Sequence, residues 1–170
     1  NWHDDYDHQP WKEIADPEVL ARRDKHYFVD RPQHLRGWTA ELGAPPVPQG
    51  PLPIVLTQAG DAAEISIDVA DELEDAAKEG ALEEATLRLM IVNLSSLDAL
   101  EYQLNGQSLD AGAARTRLLY NDCWLDFDVV EQLRQGWNQL KVVVTERNPL
   151  VHAPLTLESV EVIVRYHGSD

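Results

Sequence analysis

The sequence predicts an all-β fold, an antiparallel two-sheet sandwich with a short N-terminal helical extension. Three observations carry that expectation. Beyond residue 53 the apolar residues recur at every second position, the period of a half-buried strand. Seven or more such segments follow one another between turn residues, with no strand–helix–strand alternation. Ahead of a proline-rich stretch the pattern differs, and a helix start signal replaces the alternation.

The elements follow in chain order. Asp16-Pro17-Glu18 combines a capping carboxylate, a proline suited to the first helical position and an acid that favours the helix dipole. A helix is expected from about 17 to 28, burying Leu20, Tyr27 and Phe28. Residues 37–53, GWTAELGAPPVPQGPLP, hold five of the ten prolines and three of the nine glycines and read as an extended linker. The chain thus divides into an extension at 1–36, a linker at 37–53 and a sandwich domain at 54–170. Within the last, Ile65, Ile67 and Val69 alternate with Glu64, Ser66 and Asp68, and Leu100, Tyr102 and Leu104 alternate with Glu101 and Gln103. Leu140, Val142 and Val144 give a third such segment, and further strands are expected at 52–57, 86–93, 117–127 and 155–166. Asn105-Gly106 supplies the two positive-φ positions of a type I′ hairpin turn. Leu155 and Leu157 fall out of phase with Val160, Val162 and Val164, which places a bulge near Glu158-Ser159. DELEDAAKEG at 71–80 and DVVEQLRQG at 128–136 each pair an aspartate with a glutamate three residues later and a closing glycine. Both read as short capped helices, with Asp71 and Asp128 as the caps.

A chain of 170 residues supports one full core with an appendage. Its richest apolar run, LRLMIVNL at 87–94, is interrupted by Arg88 and falls far short of the roughly 20 residues that a membrane span requires. The formal charge is −16, and the acid excess is concentrated after residue 36. Such a field repels phosphate, which argues against nucleic acid or an anionic membrane as partner and leaves neutral ligands and cations open. The single cysteine, Cys123, allows no internal disulfide. It falls on an apolar strand face, where a thiol behaves as a small buried hydrophobe. These features leave localisation open between a reducing compartment such as the cytoplasm and export.

The functional question centres on LLYNDCWLDFDV, residues 118–129. Read as one strand, it places Leu119, Cys123, Leu125, Phe127 and Val129 on one face and Tyr120, Asp122, Trp124 and Asp126 on the other. The first face is core. The second joins aromatic rings to carboxylates: a ring can stack on the apolar side of a pyranose while acids bond its hydroxyls. The competing reading has Trp124 covered by a neighbouring segment, because a large exposed tryptophan is uncommon without a partner. Asp122 and Asp126 lie about 13 Å apart along a strand, beyond the 5 to 9.5 Å of a glycosidase carboxylate pair, so no catalytic residue is assigned. A second cluster, HDDYDH at 3–8, offers His3, Asp5, Asp7 and His8 to a metal but lacks the fixed spacing of zinc sites. Asn1-Trp2-His3 could chelate copper or nickel if Asn1 is a free terminus, and Trp2 and Trp11 read as packing residues. No cofactor is expected.

Four segments carry a resemblance: LEYQLNGQSL (100–109), YNDCWLDFDV (120–129), LRQGWNQLKVVVTE (133–146) and LTLESVEVIVRY (155–166). With the strand running into LNG, the L-x-x-G-x-N-x-L-x-V turn and the closing Arg165-Tyr166, they resemble galactose-binding-like jelly rolls, the β-sandwich modules attached to many glycoside hydrolases. The opening NWHDDYD, the helix and DKHYFVDR are similar to the end of a TIM-barrel glycoside-hydrolase-like domain, as found in bacterial proteins joining such a barrel to a C-terminal sandwich. The resemblance implies a jelly-roll sandwich serving as a non-catalytic carbohydrate-binding or accessory module, with Tyr120, Asp122, Trp124 and Asp126 as ligand-binding residues. It also implies that the chain is the tail of a larger protein, and it leaves open two partners, a carbohydrate and, by intramolecular docking, the upstream barrel. A structural calcium ion is common in such modules, although no loop here matches a recognised calcium spacing. The alternatives are a structural or protein-interaction domain without a sugar ligand and, more distantly, part of a glycoside hydrolase with its catalytic residues elsewhere.

Overall fold

Strict alternation of apolar and polar residues forces each segment to bury one face, and two sheets stacked on their apolar faces satisfy them all. A computed structural model describes residues 22–29 and 51–168 and shows that arrangement. In chain order the elements are β1 (Lys25–Phe28), β2 (Ile54–Leu56), β3 (Ala62–Val69), α1 (Leu73–Lys78), β4 (Leu82–Val92), β5 (Ala99–Leu104), β6 (Gln107–Leu109), β7 (Arg115–Leu119), β8 (Asp122–Asp128), β9 (Gly136–Glu146) and β10 (Leu155–Tyr166). The first sheet runs β1-β10-β4-β8-β7, with β2 pairing the start of β10 on the β1 side, and the second runs β3-β9-β5-β6. All pairings among the described residues are antiparallel. After α1 the chain changes sheet repeatedly: β4 to the first, the β5–β6 hairpin to the second, the β7–β8 hairpin to the first, β9 to the second, β10 to the first.

The core lies between the sheets. Leu87, Leu89 and Ile91 of β4 and Val160, Val162 and Val164 of β10 face Ile65, Ile67 and Val69 of β3 and Leu140, Val142 and Val144 of β9. The phase change in β10 is a bulge: register with β4 shifts between Leu157 and Ser159, returning the later valines to the inner face. Asn105 and Gly106 both have positive φ and join β5 to β6, as their sequence requires.

A buried amide closes the second sheet. The Asn138 side chain is almost wholly buried. Its amide nitrogen donates to the carbonyls of Arg134 (2.7 Å) and Gly136 (2.9 Å), and its oxygen accepts from the Arg134 N–H (3.0 Å) and the Asn105 amide (2.8 Å). Asn105 in turn donates to the Gln132 carbonyl and accepts from the Gln139 N–H. The two asparagines of the LNG and G-x-N segments therefore meet, and together they pin the 129–135 crossover to the β5–β6 turn.

Four expectations are corrected. Lys25–Phe28, read as the end of a helix, is a strand, because β10 offers it an unpaired edge and its alternating side chains suit a half-buried strand. Residues 17–21 and Leu20 lie outside the described residues, as do residues 37–50 of the expected linker. Phe28 is exposed, since the strand's alternation turns it outward while Tyr27 packs on the core. Residues 129–135 form turns instead of a second helix; Asp128 keeps a local role by accepting from the Val130 N–H at 3.2 Å. Asp71 does not cap α1, which starts without a side-chain cap. It is buried and accepts from the Tyr27 and Tyr166 hydroxyls (3.0 and 2.8 Å) beside the Lys25 ammonium (2.7 Å). Burial and the Asp71 carboxylate push both phenols well above the usual tyrosine range, so they remain donors.

Replacing Asn138 with alanine strands several buried polar groups, and urea unfolding should show a loss of about 3 kcal/mol. Asp71→Ala leaves Lys25 and two phenols without their acceptor and should lower stability by about 3 kcal/mol. Hydrogen exchange gives the signature of the second change: amides of β1 lose protection while those of β3 and β9 keep theirs.

Candidate functional site

The 118–129 stretch is not one strand. β7 ends at Leu119, Tyr120 and Asn121 make a two-residue turn, and β8 begins at Asp122, with Leu119 opposite Asp122 and Leu118 opposite Cys123. Tyr120 has φ +55°, the left-handed region where a bulky side chain is an outlier, and it is 98% exposed at the hairpin tip. The expected face of four side chains is therefore split. Asp122, Trp124 and Asp126 share the outer face of β8 as the alternation requires, and Tyr120 stands at its rim. Leu119, expected in the core, points outward beside Asp122 and is exposed, while Cys123, Leu125, Phe127 and Val129 are core as expected. Burial raises the Cys123 thiol above its usual range, which keeps it protonated and unreactive.

The hairpin brings a second set of side chains onto this face. Its register sets Arg117 opposite Trp124 and Arg115 opposite Asp126, while β4 on the other side sets Met90 opposite Trp124 and Arg88 opposite Asp126. The Arg117 guanidinium lies 4.7 Å from the centre of the Trp124 ring, within cation–π range. Arg88 binds Asp126 through two parallel bonds of 2.8 and 2.9 Å, the fork geometry specific to arginine and carboxylate. Arg115 is more loosely held, 3.3 Å from Glu84 and 3.9 Å from Asp126 with its side chain largely exposed. The hydrogen bonds from Arg88, with smaller help from the charges of Arg115 and Arg117, hold the Asp126 carboxyl below the usual carboxylate range. Asp126 is then an acceptor at neutral pH and unsuited to act as a general acid, which needs a raised value.

These side chains enclose a groove of about 150 Å³ lined by Arg88, Arg115, Thr116, Arg117, Trp124 and Asp126. Trp124 is partly exposed in it, neither fully covered nor free. Arg115 and Asp126 also form the wall between this groove and a wider hollow of about 430 Å³ with Glu83, Glu84 and Asp128 on its far side. Another hollow, about 540 Å³ between α1 and residues 130–135, is lined by no aromatic ring. Trp137, on the outer face of the second sheet opposite Asp68, is more exposed than Trp124 but borders none of these hollows.

Sequence reading named Trp124, Asp122 and Asp126 but missed Arg88, Arg115 and Arg117. The usable signal was Tyr120-Asn121-Asp122, a turn-rich triplet between two apolar runs. Breaking the strand there puts Arg115, Arg117 and Leu119 in phase with Trp124. The HDDYDH cluster, the Asn1-Trp2-His3 terminus and Trp11 lie outside the described residues. No cluster of three or more metal-ligating side chains occurs among the described residues. Comparison of the chain with protein-family models and with curated proteins gives no match.

The Arg88–Asp126 pair makes stability depend on pH. A carboxyl with a lower pKa in the folded state adds stability above the unfolded value near 3.9 and loses it as pH falls through the folded value. Urea unfolding of wild type and Asp126→Asn should therefore differ most near pH 6, and the gap should close on acidification below about pH 4.

Proposed function

We propose that this chain is a non-catalytic carbohydrate-binding accessory module, a galactose-binding-like jelly roll that serves a glycoside-hydrolase-like protein. The observation that carries the reading is the groove on the outer face of the first sheet. There a partly exposed indole stands beside guanidinium donors and a carboxylate acceptor. An aromatic platform with a few convergent polar groups is the usual division of labour in a site for a polar ring: stacking supplies contact area and the polar groups fix orientation. The repeated change of sheet along the chain supports the jelly-roll reading. The Asn105–Asn138 contact supports the family resemblance, because the two segments that carry it meet in space.

In this reading Trp124 is the platform, Asp126 and the arginines are the hydrogen-bonding groups, and Asp122 and Tyr120 border the approach. Arg117 lies over the indole, so a sugar either displaces it or stacks with it.

A second reading rests on a separate observation. Leu118 is 66% exposed, Leu119 54% and Tyr120 98%, all at the tip of a hairpin whose outer strand, β7, is the edge of its sheet among the described residues and is exposed along its length. Such a tip fits a docking contact with another domain, the role of a structural or interaction module. The two readings separate by experiment. Calorimetric titration with glycans selected on an array should show binding to wild type that falls by about tenfold or more in Trp124→Ala. It should be unchanged in Trp137→Ala and in Leu118→Ser. Equal binding by wild type and Trp124→Ala, loss in Trp137→Ala instead, or no binding of any glycan would sink the groove as a sugar site.

A further inference from the structure

We infer that the glycan taken by this groove is acidic, carrying a carboxylate on the sugar ring as a uronic acid does, and that Arg117 is the residue that reads the acid; the inference rests on the groove being a sugar site. The first observation is one of charge. The chain carries 14 basic against 30 acidic residues and a formal charge of −16. The groove reverses that balance, with three guanidinium groups, Arg88, Arg115 and Arg117, against the single carboxylate of Asp126. Two of the arginines are already occupied: Arg88 by the bidentate pair with Asp126, and Arg115 by Glu84 and the same aspartate.

The second observation concerns the third. Among the described residues Arg117 pairs with no carboxylate and donates no hydrogen bond; its contact is with the Trp124 ring, 4.7 Å from the centroid. A guanidinium held by an indole face spends no N–H on a carboxylate, and its fork of donors matches a planar carboxylate. The carboxylate of a uronic acid is bonded directly to the ring. Pyranose and acid are then neighbours, as indole and guanidinium are in this groove, so a sugar that shares the indole with Arg117 brings its acid within reach of the guanidinium. The groove, about 150 Å³, has the scale of a single sugar unit.

The net negative charge of the molecule opposes any anion at long range. At physiological ionic strength that field is screened beyond about 8 Å, whereas groups in contact keep their interaction. Selectivity for the acid is therefore decided inside the groove.

The test compares tetragalacturonate with its fully methyl-esterified form, which keeps the sugar skeleton and removes the charge. Each is titrated into the full 170-residue chain as wild type, Arg117→Gln, Arg117→Lys and Trp124→Ala. Arg117 is exposed on an edge strand, so its variants should melt like wild type. Wild type should bind the free acid at least about tenfold more tightly than the ester, since a charge-assisted bond contributes that much. Arg117→Gln should bring the ratio close to one, Arg117→Lys should leave it intermediate because charge survives without the fork, and Trp124→Ala should weaken both ligands. Equal binding of acid and ester, with both lost in Trp124→Ala, would overturn the acidic specificity and leave the sugar site standing. Acid preference that persists in Arg117→Gln, or binding indifferent to Trp124, would overturn the inference as well. No binding of these or any other glycan would remove the sugar site and the inference together.

Discussion

One buried amide holds the arrangement on which the groove depends. Asn138 sits at the start of β9, where the chain has just crossed from the first sheet to the second, and it bonds the backbone of Arg134 and Gly136 at the β9 end of that crossing as well as Asn105 in the β5–β6 turn. A buried amide with its partners satisfied is rigid, because each alternative position leaves a polar group unpaired in a poor dielectric. The crossover begins at the end of β8, so the amide anchors the far end of the segment that leaves that strand. β8 in turn carries Trp124 and Asp126, and its pairing with β4 and β7 determines which side chains flank them.

The first sheet has its own anchor at the opposite edge. Asp71 joins the residue pair Lys25 and Tyr27 of β1 to Tyr166 at the end of β10, itself 44 residues after Tyr27 and 95 before Tyr166. A carboxylate out of water is tolerated only when paired and hydrogen-bonded, and here one cation and two phenols do both. A further closure ties the loops at one end of the sandwich. The Asp98 carboxylate, with no exposed surface, pairs with Arg147 and accepts from the N–H groups of Asn148 and Ser95. Burial alone would raise that carboxyl, yet these bonds and the Arg147 charge outweigh it and hold the group below the usual range.

Much of this architecture is legible in the residues. Period-two alternation marks β3, β5 and β9, the phase slip marks the bulge in β10, and Asn105-Gly106 marks a hairpin, because in each case the local chemistry admits one solution. What is not legible depends on partners distant in sequence. Lys25–Phe28 carries a helix start signal upstream and becomes a strand because β10 has an open edge. Asp71 looks like a cap and is recruited by two tyrosines that no local pattern reveals. The site was half legible: the alternation of β8 places Asp122, Trp124 and Asp126 on one face, but the turn at Tyr120-Asn121 lacks the glycine that usually signals one, and missing it hid Arg115 and Arg117. Arg88 comes from β4, 38 residues before its partner Asp126, and only register brings the two together.

The two tight hairpins among the described residues differ in their turn chemistry. One turns on Asn105-Gly106, residues that tolerate left-handed backbone, and the other forces Tyr120 into that region at φ +55°. A left-handed conformation at a bulky residue costs about 1 kcal/mol or more, and glycine or asparagine in its place would relieve it. The tyrosine ring gains nothing from packing in return, being almost wholly in solvent. The β7–β8 turn thus carries a backbone cost that no packing of its tyrosine offsets. Converting it to Asn-Gly would separate the two roles of that position, firming the turn while erasing the ring it presents.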